Sequence, residues 1–279
     1  MTKEMLLKAL EQFSEESPLN YVDPAIAIEP RVAGAKMYEA PILGYGAADD
    51  ALFAEMQKEE AVGYQFELPE YWLPGAKTVI SFFAPKSQEV REDNGADLEA
   101  PSLYWLHARK EGQDYIDAIC RKVIELLEGE GYKAVAPSLD SRFHAGTIRK
   151  NEAGEEYKFP FTSNWSERHV GYICGMGTFG LSKGLITEKG IAGRFGSIIT
   201  DWVTEPKKRE YTGIYDYCTK CGACVRNCPA DAITLEEGKN HPKCAVFLKS
   251  ERFTPYAPRY GCGKCQVKVP CEHGIPGRK

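Results

Sequence analysis

Ten cysteines are spread unevenly along the 279 residues. Cys120 and Cys174 stand alone, while Cys218, Cys221, Cys224, Cys228, Cys244, Cys262, Cys265 and Cys271 crowd the C-terminal end. The first four of that group form the run Cys218-x2-Cys221-x2-Cys224-x3-Cys228-Pro229. Three thiols two residues apart on a tight loop wrap one face of an iron–sulfur cubane. Gly222 lets the backbone approach the sulfides. Structural zinc, the usual alternative for clustered cysteines, pairs two C-x2-C knuckles rather than running four in this way. Disulfides would need an oxidising compartment. The opening Met1-Thr2-Lys3-Glu4-Met5 places charges too close together for a secretory apolar core, and no stretch of about 18 apolar residues occurs. The expected location is therefore cytoplasmic, with no membrane partner.

The run resembles that of bacterial two-cluster ferredoxins. The resemblance implies two [4Fe–4S] clusters, one on Cys218, Cys221, Cys224 and Cys271 and the other on Cys228, Cys244, Cys262 and Cys265. The second half departs from the pattern: five residues separate Cys265 from Cys271, Pro270 precedes the last cysteine, and Cys244 lies far upstream of Cys262. One cluster with a zinc or free thiols stays open as the alternative. Two cubanes side by side make an electron relay, so the rest of the chain is expected to hold what the electrons reach.

Upstream, the pattern alternates between helices and strands. Lys3–Phe13 reads as a short amphipathic helix, and a second helix is expected around Asp49–Glu59. Lys77–Phe83 is an apolar, β-branched and aromatic run expected as a buried strand. Lys86–Glu99, charged and poor in apolar residues, reads as an exposed loop. In Asp114–Glu128 the residues Ile116, Ile119, Cys120, Val123 and Leu127 share one helical face. Tyr132–Val135 and Phe195–Val203 read as strands, and Trp165–Cys174 as a helix. Residues 145–160 read as a polar, glycine-containing connection. Composition shifts near 205–212, so two domains are expected, 1–207 and 208–279. The net charge of −5 argues against broad nucleic-acid binding, although Lys207-Lys208-Arg209 is a local basic patch.

Gly175-Met-Gly177-Thr-Phe-Gly180-Leu-Ser-Lys-Gly184 is glycine-rich, but a helix pattern precedes it where a dinucleotide fold needs a strand. The run and its continuation Leu185-Ile-Thr-Glu-Lys-Gly-Ile-Ala-Gly-Arg resemble the G-L-G-x-I-G-[KR]-N-x-L-L-I signature of cobalamin-dependent epoxyqueuosine reductases and the L-I-T-P-x-x-G-x-R segment of reductive dehalogenases. Tyr71-Trp-Leu-Pro-Gly-Ala-Lys-Thr-Val-Ile is similar to the family's Y-P-G-A-[KR]-[ST]-[IV]-I strand, and Asp114-Tyr115 to its D-Y-H segment. The resemblance covers roughly residues 70 to 271. It implies an α/β (α+β) fold, with a nitroreductase-like core that binds a base-off cobalamin and a ferredoxin-like two-cluster domain beside it. The clusters would reduce cobalt to Co(I). Gly175, Gly177, Thr178, Phe179, Gly180, Leu181, Ser182 and Lys183 would lie near the corrinoid.

Two departures bear on chemistry. Leu181-Ser182 stand at the family's [KR]-N pair, leaving Lys183 as the basic group. The proton-donating Asp of the family segment D-[ST]-[AG]-P-V-L-E-R falls on Ala134 when that segment is laid on Ala134–Arg142. The candidate proton donors and their neighbours are Asp140, Arg142, Glu167, His169 and Tyr172, because reduction at cobalt needs a proton delivered on the substrate side. The expected function is a corrinoid- and iron–sulfur-dependent reductase of a small organic or modified-nucleoside substrate, fed by a low-potential donor of ferredoxin or flavodoxin type. The acidic balance argues against a tRNA substrate. An electron carrier or corrinoid activator without a small-molecule substrate is the competing expectation, and a flavin is a further cofactor to weigh.

Overall fold

The computed structural model describes residues 1–147, 154 and 161–278. The connection expected at 145–160 lies largely outside the described residues. The first half of the chain contributes helices α1 (Lys3–Glu16), α2 (Leu52–Glu55), α3 (Pro69–Trp72), α4 (Gln88–Ala96), α5 (Leu103–Lys110) and α6 (Gly112–Gly129). Strands β1 (Ile42–Ala47), β2 (Thr78–Pro85) and β3 (Ala134–Val135) alternate with them. Then come β4 (Ala145–Thr147), β5 (Phe161–Ser163), α7 (Glu167–Ile173), β6 (Gly177–Phe179), β7 (Leu185–Thr187) and β8 (Gly193–Thr200). The C-terminal segment holds α8 (Ala223–Arg226), β9 (Ile233–Thr234), β10 (Gly238–Lys239) and α9 (His241–Leu248).

The core is a mixed α/β unit around an antiparallel sheet of order β1-β2-β8-β3. Strand β2 is buried along its whole length, which is why it reads as a continuous apolar run rather than an alternating one. On one face, Ile80 and Phe82 of β2 and Ile198 of β8 pack with Leu6, Leu10 and the apolar stripe of α6, Tyr115, Ile116, Ile119, Cys120, Val123 and Leu127. On the other, Val79 and Ile199 meet Trp165, Val170, Ile173 and Cys174 of the α7 region, together with Phe53, Phe66 and Trp72. Each fully buried branched or aromatic side chain contributes ~1.5–3 kcal/mol, so these two faces account for most of the drive to fold.

The segment expected as an exposed loop at 86–99 is largely helix α4. Ser87 caps it, its hydroxyl accepting from the Val90 N–H at 3.3 Å, and Val90, Asn94 and Gly95 are buried. The helix is charged because only one narrow face packs. In the second expected helix, 49–59, only Leu52–Glu55 is helical.

The compositional boundary near 205–212 is no free linker. Lys207 N–H donates to the Tyr45 carbonyl of β1 at 2.8 Å, and Arg209 pairs with Asp50 at 2.6 Å. Beyond it, Phe179 N–H donates to the Ile214 carbonyl, Tyr217 N–H to Thr178 Oγ1 and Ile191 N–H to the Cys271 carbonyl, at 2.7, 2.8 and 2.9 Å. The cysteine-rich segment is therefore joined to the core through the β6–β7 hairpin. Among the described residues, no helix is long and apolar enough to cross a membrane.

Candidate functional site

Cys218, Cys221, Cys224 and Cys271 line one cavity, with about 370 Å³ of empty space including its mouth. Gly222 adopts the left-handed conformation (φ 71°) that turns the loop over this cavity and starts α8. Burial raises the Cys224 thiol to about 11, and the Cys265, Cys218 and Cys221 thiols add to it. Burial likewise pushes Cys271 up to about 12, with Cys224, Cys218 and Cys221 as its charge neighbours. Four soft sulfur donors around a single cavity fit a [4Fe–4S] cube, which takes four thiolates. Cys221 is the exposed member of the set.

The other four thiols gather next to it. Burial raises Cys262 to about 12, with Cys265 and Cys244 as neighbours, and Cys265 in turn lies near Cys244 and Cys228. Gly263 (φ 68°) repeats the left-handed turn of Gly222 and sits on the Trp105 ring, where a Cβ would come within 2.1 Å. Among the described residues, no group of three or more cysteine, histidine or carboxylate side chains is close enough to hold a single metal ion.

The glycine-rich run forms the β6–β7 hairpin, and most of it is covered by the chain itself. A Cβ on Gly177 would lie 1.9 Å from the Ile186 carbonyl oxygen. Gly175 (φ 77°) lies against the Lys207 carbonyl. Thr178 is fully buried, and the Phe179 ring packs on His169 with centroids 4.9 Å apart. Gly180, Leu181 and Ser182 form part of the wall of the first four-cysteine cavity. Met176–Ser182 are buried in the seam between core and cysteine segment, while Gly175 and Met176 also border an open pocket with Lys207, Lys208 and Tyr217.

Lys183 stands apart, half-buried in a left-handed turn (φ 56°), with its carbonyl accepting from Arg168 at 2.7 Å. Arg168 is exposed to solvent yet surrounded by protein, so desolvation and the neighbouring Arg194 lower its pKa. Arg168, Lys183, Lys239 and His241 act on one another's charge and so border a common basic cleft. Lys239 and His241 belong to the same cleft: burial, then Lys239, Arg168 and Lys183, pull His241 down to about 4. Burial lowers Lys239, but the Cys265 and Cys244 thiols outweigh it and raise its pKa overall. The cleft is basic and lies beside the second cysteine set.

The proton-donor candidates divide sharply. Glu167 opens α7, where Ser197 Oγ, itself accepting from Trp165 Nε1, donates to its Oε2 at 2.7 Å. Burial raises Glu167 to about 7, against the opposing pull of Ser197 and Arg194. His169 is held at about 3 by burial and Arg168, so it is a neutral imidazole, paired with Ser166 Oγ at 2.7 Å. Asp140 and Arg142 form a turn ion pair at 2.7 Å, and Arg142 also donates to the Tyr71 and Trp72 carbonyls. That pair keeps Asp140 at about 2, so it stays ionised at neutral pH. Tyr172 packs between Phe179 and Tyr211, and its hydroxyl donates to the Thr212 carbonyl at 3.4 Å. Cys120 and Cys174 are core thiols pushed upward by burial. Sequence reasoning missed Arg168, Lys239, His241 and the buried Lys264, and met Arg194 only as the end of the dehalogenase-like segment. Only Lys264 carried a signal, a charged residue inside a C-x2-C pair.

Comparison with known proteins agrees with the cysteine chemistry. The 4Fe-4S binding domain family matches residues 211–234. The curated epoxyqueuosine reductase of Staphylococcus aureus is 27% identical over 263 residues, covering 84% of this chain and 61% of that protein. The chain thus spans less than two thirds of that relative's length. An epoxyqueuosine reductase solved with a tRNA-Tyr epoxyqueuosine-modified stem loop is 18% identical, covering 99% of this chain and 67% of that one, with a TM-score of 0.48. A reductive dehalogenase structure is 15% identical over 74% of this chain and 27% of its own, with a TM-score of 0.44. The chain is an α/β protein that is similar to epoxyqueuosine reductase over 84% of its length and carries a ferredoxin-like 4Fe-4S binding domain.

Proposed function

We propose that the chain is an iron–sulfur reductase in which Cys218, Cys221, Cys224 and Cys271 hold one [4Fe–4S] cluster and Cys228, Cys244, Cys262 and Cys265 hold a second. The observation that carries this reading is the sorting of eight thiols into two adjacent sets, one with the exposed Cys221 and the other beside the basic cleft. Electrons enter at the first set from a low-potential donor of ferredoxin or flavodoxin type. They cross where Cys224 and Cys265 are charge neighbours and leave toward the cleft.

Arg168, Arg194, Lys239 and His241, with Lys183 at the rim, suit a ligand carrying a phosphate, such as the nucleotide tail of a cobalamin. When bound, a base-off cobalamin supplies strongly reducing cobalt chemistry toward a small organic or modified-nucleoside substrate. Glu167 is the residue placed to keep a proton near neutral pH for that reduction. The second reading, an electron carrier without a corrinoid, is supported by the burial of Gly177–Ser182 within the protein.

Iron and cobalt per chain, measured after anaerobic purification and incubation with hydroxocobalamin, separate the two. About eight irons and about one cobalt support the reductase. About eight irons and no cobalt remove the corrinoid and leave the carrier.

A further inference from the structure

The two cysteine loops contain matching tetrapeptides that differ at one place. Cys221-Gly222-Ala223-Cys224 and Cys262-Gly263-Lys264-Cys265 both turn on a left-handed glycine, at φ 71° and 68°. Both bury the residue that follows, Ala223 in the first and Lys264, 2% exposed, in the second. A lysine in the space where the twin loop has a methyl group is costly to desolvate unless its ammonium is fully hydrogen-bonded.

Lys264 is fully hydrogen-bonded. Its Nζ donates to the Asn94 carbonyl at 2.9 Å, to Asn94 Oδ1 at 2.8 Å and to the Asp97 carbonyl at 2.8 Å. These acceptors lie at the C-terminal end of α4, where backbone carbonyls lack helical partners and favour a cation. All three are uncharged, so no carboxylate is bonded to the ammonium. Its strongest charge neighbour is the Cys262 thiol, ahead of Asp97, Asp93 and Glu99. A buried charge is screened far less than a surface one.

We propose that Lys264 is a positioning residue that fastens the second cysteine loop to α4 and raises the reduction potential of the cluster on that loop. This rests on the two-cluster reading above. Each cluster accepts one electron from the low-potential donor, and the cube with its four thiolates goes from a net charge of about −2 to about −3. No bond breaks and no proton moves at Lys264. A fixed cation beside the cube stabilises the more negative, reduced form. The first loop, with Ala223 at the same position, lacks that stabilisation. The two clusters are thereby made unequal, with the second the better electron acceptor, and electrons are drawn from the exposed set toward the cleft.

The test is an EPR-monitored redox titration of the full chain, with iron counted in each sample. In Lys264→Met, which keeps the volume and removes the charge, one midpoint moves to more negative potential and the other stays. Asn94→Asp places a carboxylate on the ammonium without removing it, and Asn94 Nδ2 has no partner to lose. It shifts the same midpoint in the same direction. Lys268→Met, which removes an exposed cation on the same loop, leaves both midpoints in place. Unchanged midpoints in both Lys264→Met and Asn94→Asp at full iron content overturn the proposal. If Lys264→Met loses iron, Asn94→Asp decides. Wild-type protein with half the iron and a single signal overturns the two-cluster reading, and the Lys264 proposal then stands or falls on whether that one midpoint moves.

Discussion

Ser197 Oγ donates to Glu167 Oε2 at 2.7 Å, while Glu167 Oε1 is buried with no partner among the described residues. Directly across the sheet, Ser81 pairs in register with Ser197, and its buried hydroxyl likewise has no partner among the described residues. A carboxyl in that setting resists ionisation, because one oxygen has nothing to replace the water it lost.

Glu167 therefore ties stability to pH with a definite sign. Its folded pKa, about 7, lies above the ordinary 4.5, so between those values the folded state holds a proton that the unfolded state has released. Stability falls as pH rises through that window, by roughly 1–2 kcal/mol after allowing for partial solvent access. Glu167→Gln flattens this slope in urea melts taken from pH 5 to 8. In turnover the variant is expected to lose about 100-fold in rate, together with the fall in rate above pH 7. A slope identical to wild type would place the titrating group elsewhere.

Asp140 has the opposite sign. Held at about 2 by Arg142, it contributes stability above its ordinary 3.8 that is lost as pH falls toward 2. The pair is partly solvated, so Asp140→Asn costs ~0.5–1 kcal/mol and only above about pH 4. Turnover at pH 7 is unchanged. A large loss of rate with intact folding would restore Asp140 as a catalytic group.

What was legible from sequence follows from range. The β2 run, the α6 stripe and the cysteine spacing are local patterns, and each appears within two or three residues of where it was expected. Helix α4 was not legible. Its buried residues Val90, Asn94 and Gly95 include two polar or small ones, and the partners that bury Asn94 and Gly95, Lys264 and Lys268, lie about 170 residues downstream. The glycine run was legible as a place of close backbone approach. Its protein partners, Ile186, Lys207 and the cysteine segment, were not. The basic cleft was invisible because Arg168, Arg194 and Lys239 come from three separate elements, each with an unremarkable charge pattern.

Gly263→Ala tests the seam between loop and core. The added methyl meets the Trp105 ring at 2.1 Å in a left-handed turn, so both packing and backbone resist it, at about 2–4 kcal/mol together. The cost falls on the second loop alone. Iron is expected to drop toward half while the near-UV signal of the core stays. Gly129→Ala, where nothing lies within 4 Å, is the silent comparison.

The ligand division makes the sharpest prediction. Cys228 belongs by sequence to the first run and by position to the second set, whereas Cys271, the last cysteine, faces the first cavity. Serine at either position should cost one cluster and spare the other. Cys271→Ser is expected to keep the signal whose midpoint responds to Lys264→Met, and Cys228→Ser is expected to lose that signal and keep the insensitive one. If Cys228→Ser instead abolishes the Lys264-insensitive signal, the first run holds a cluster with all four of its own cysteines. The crossed arrangement would then be wrong, even with eight irons bound.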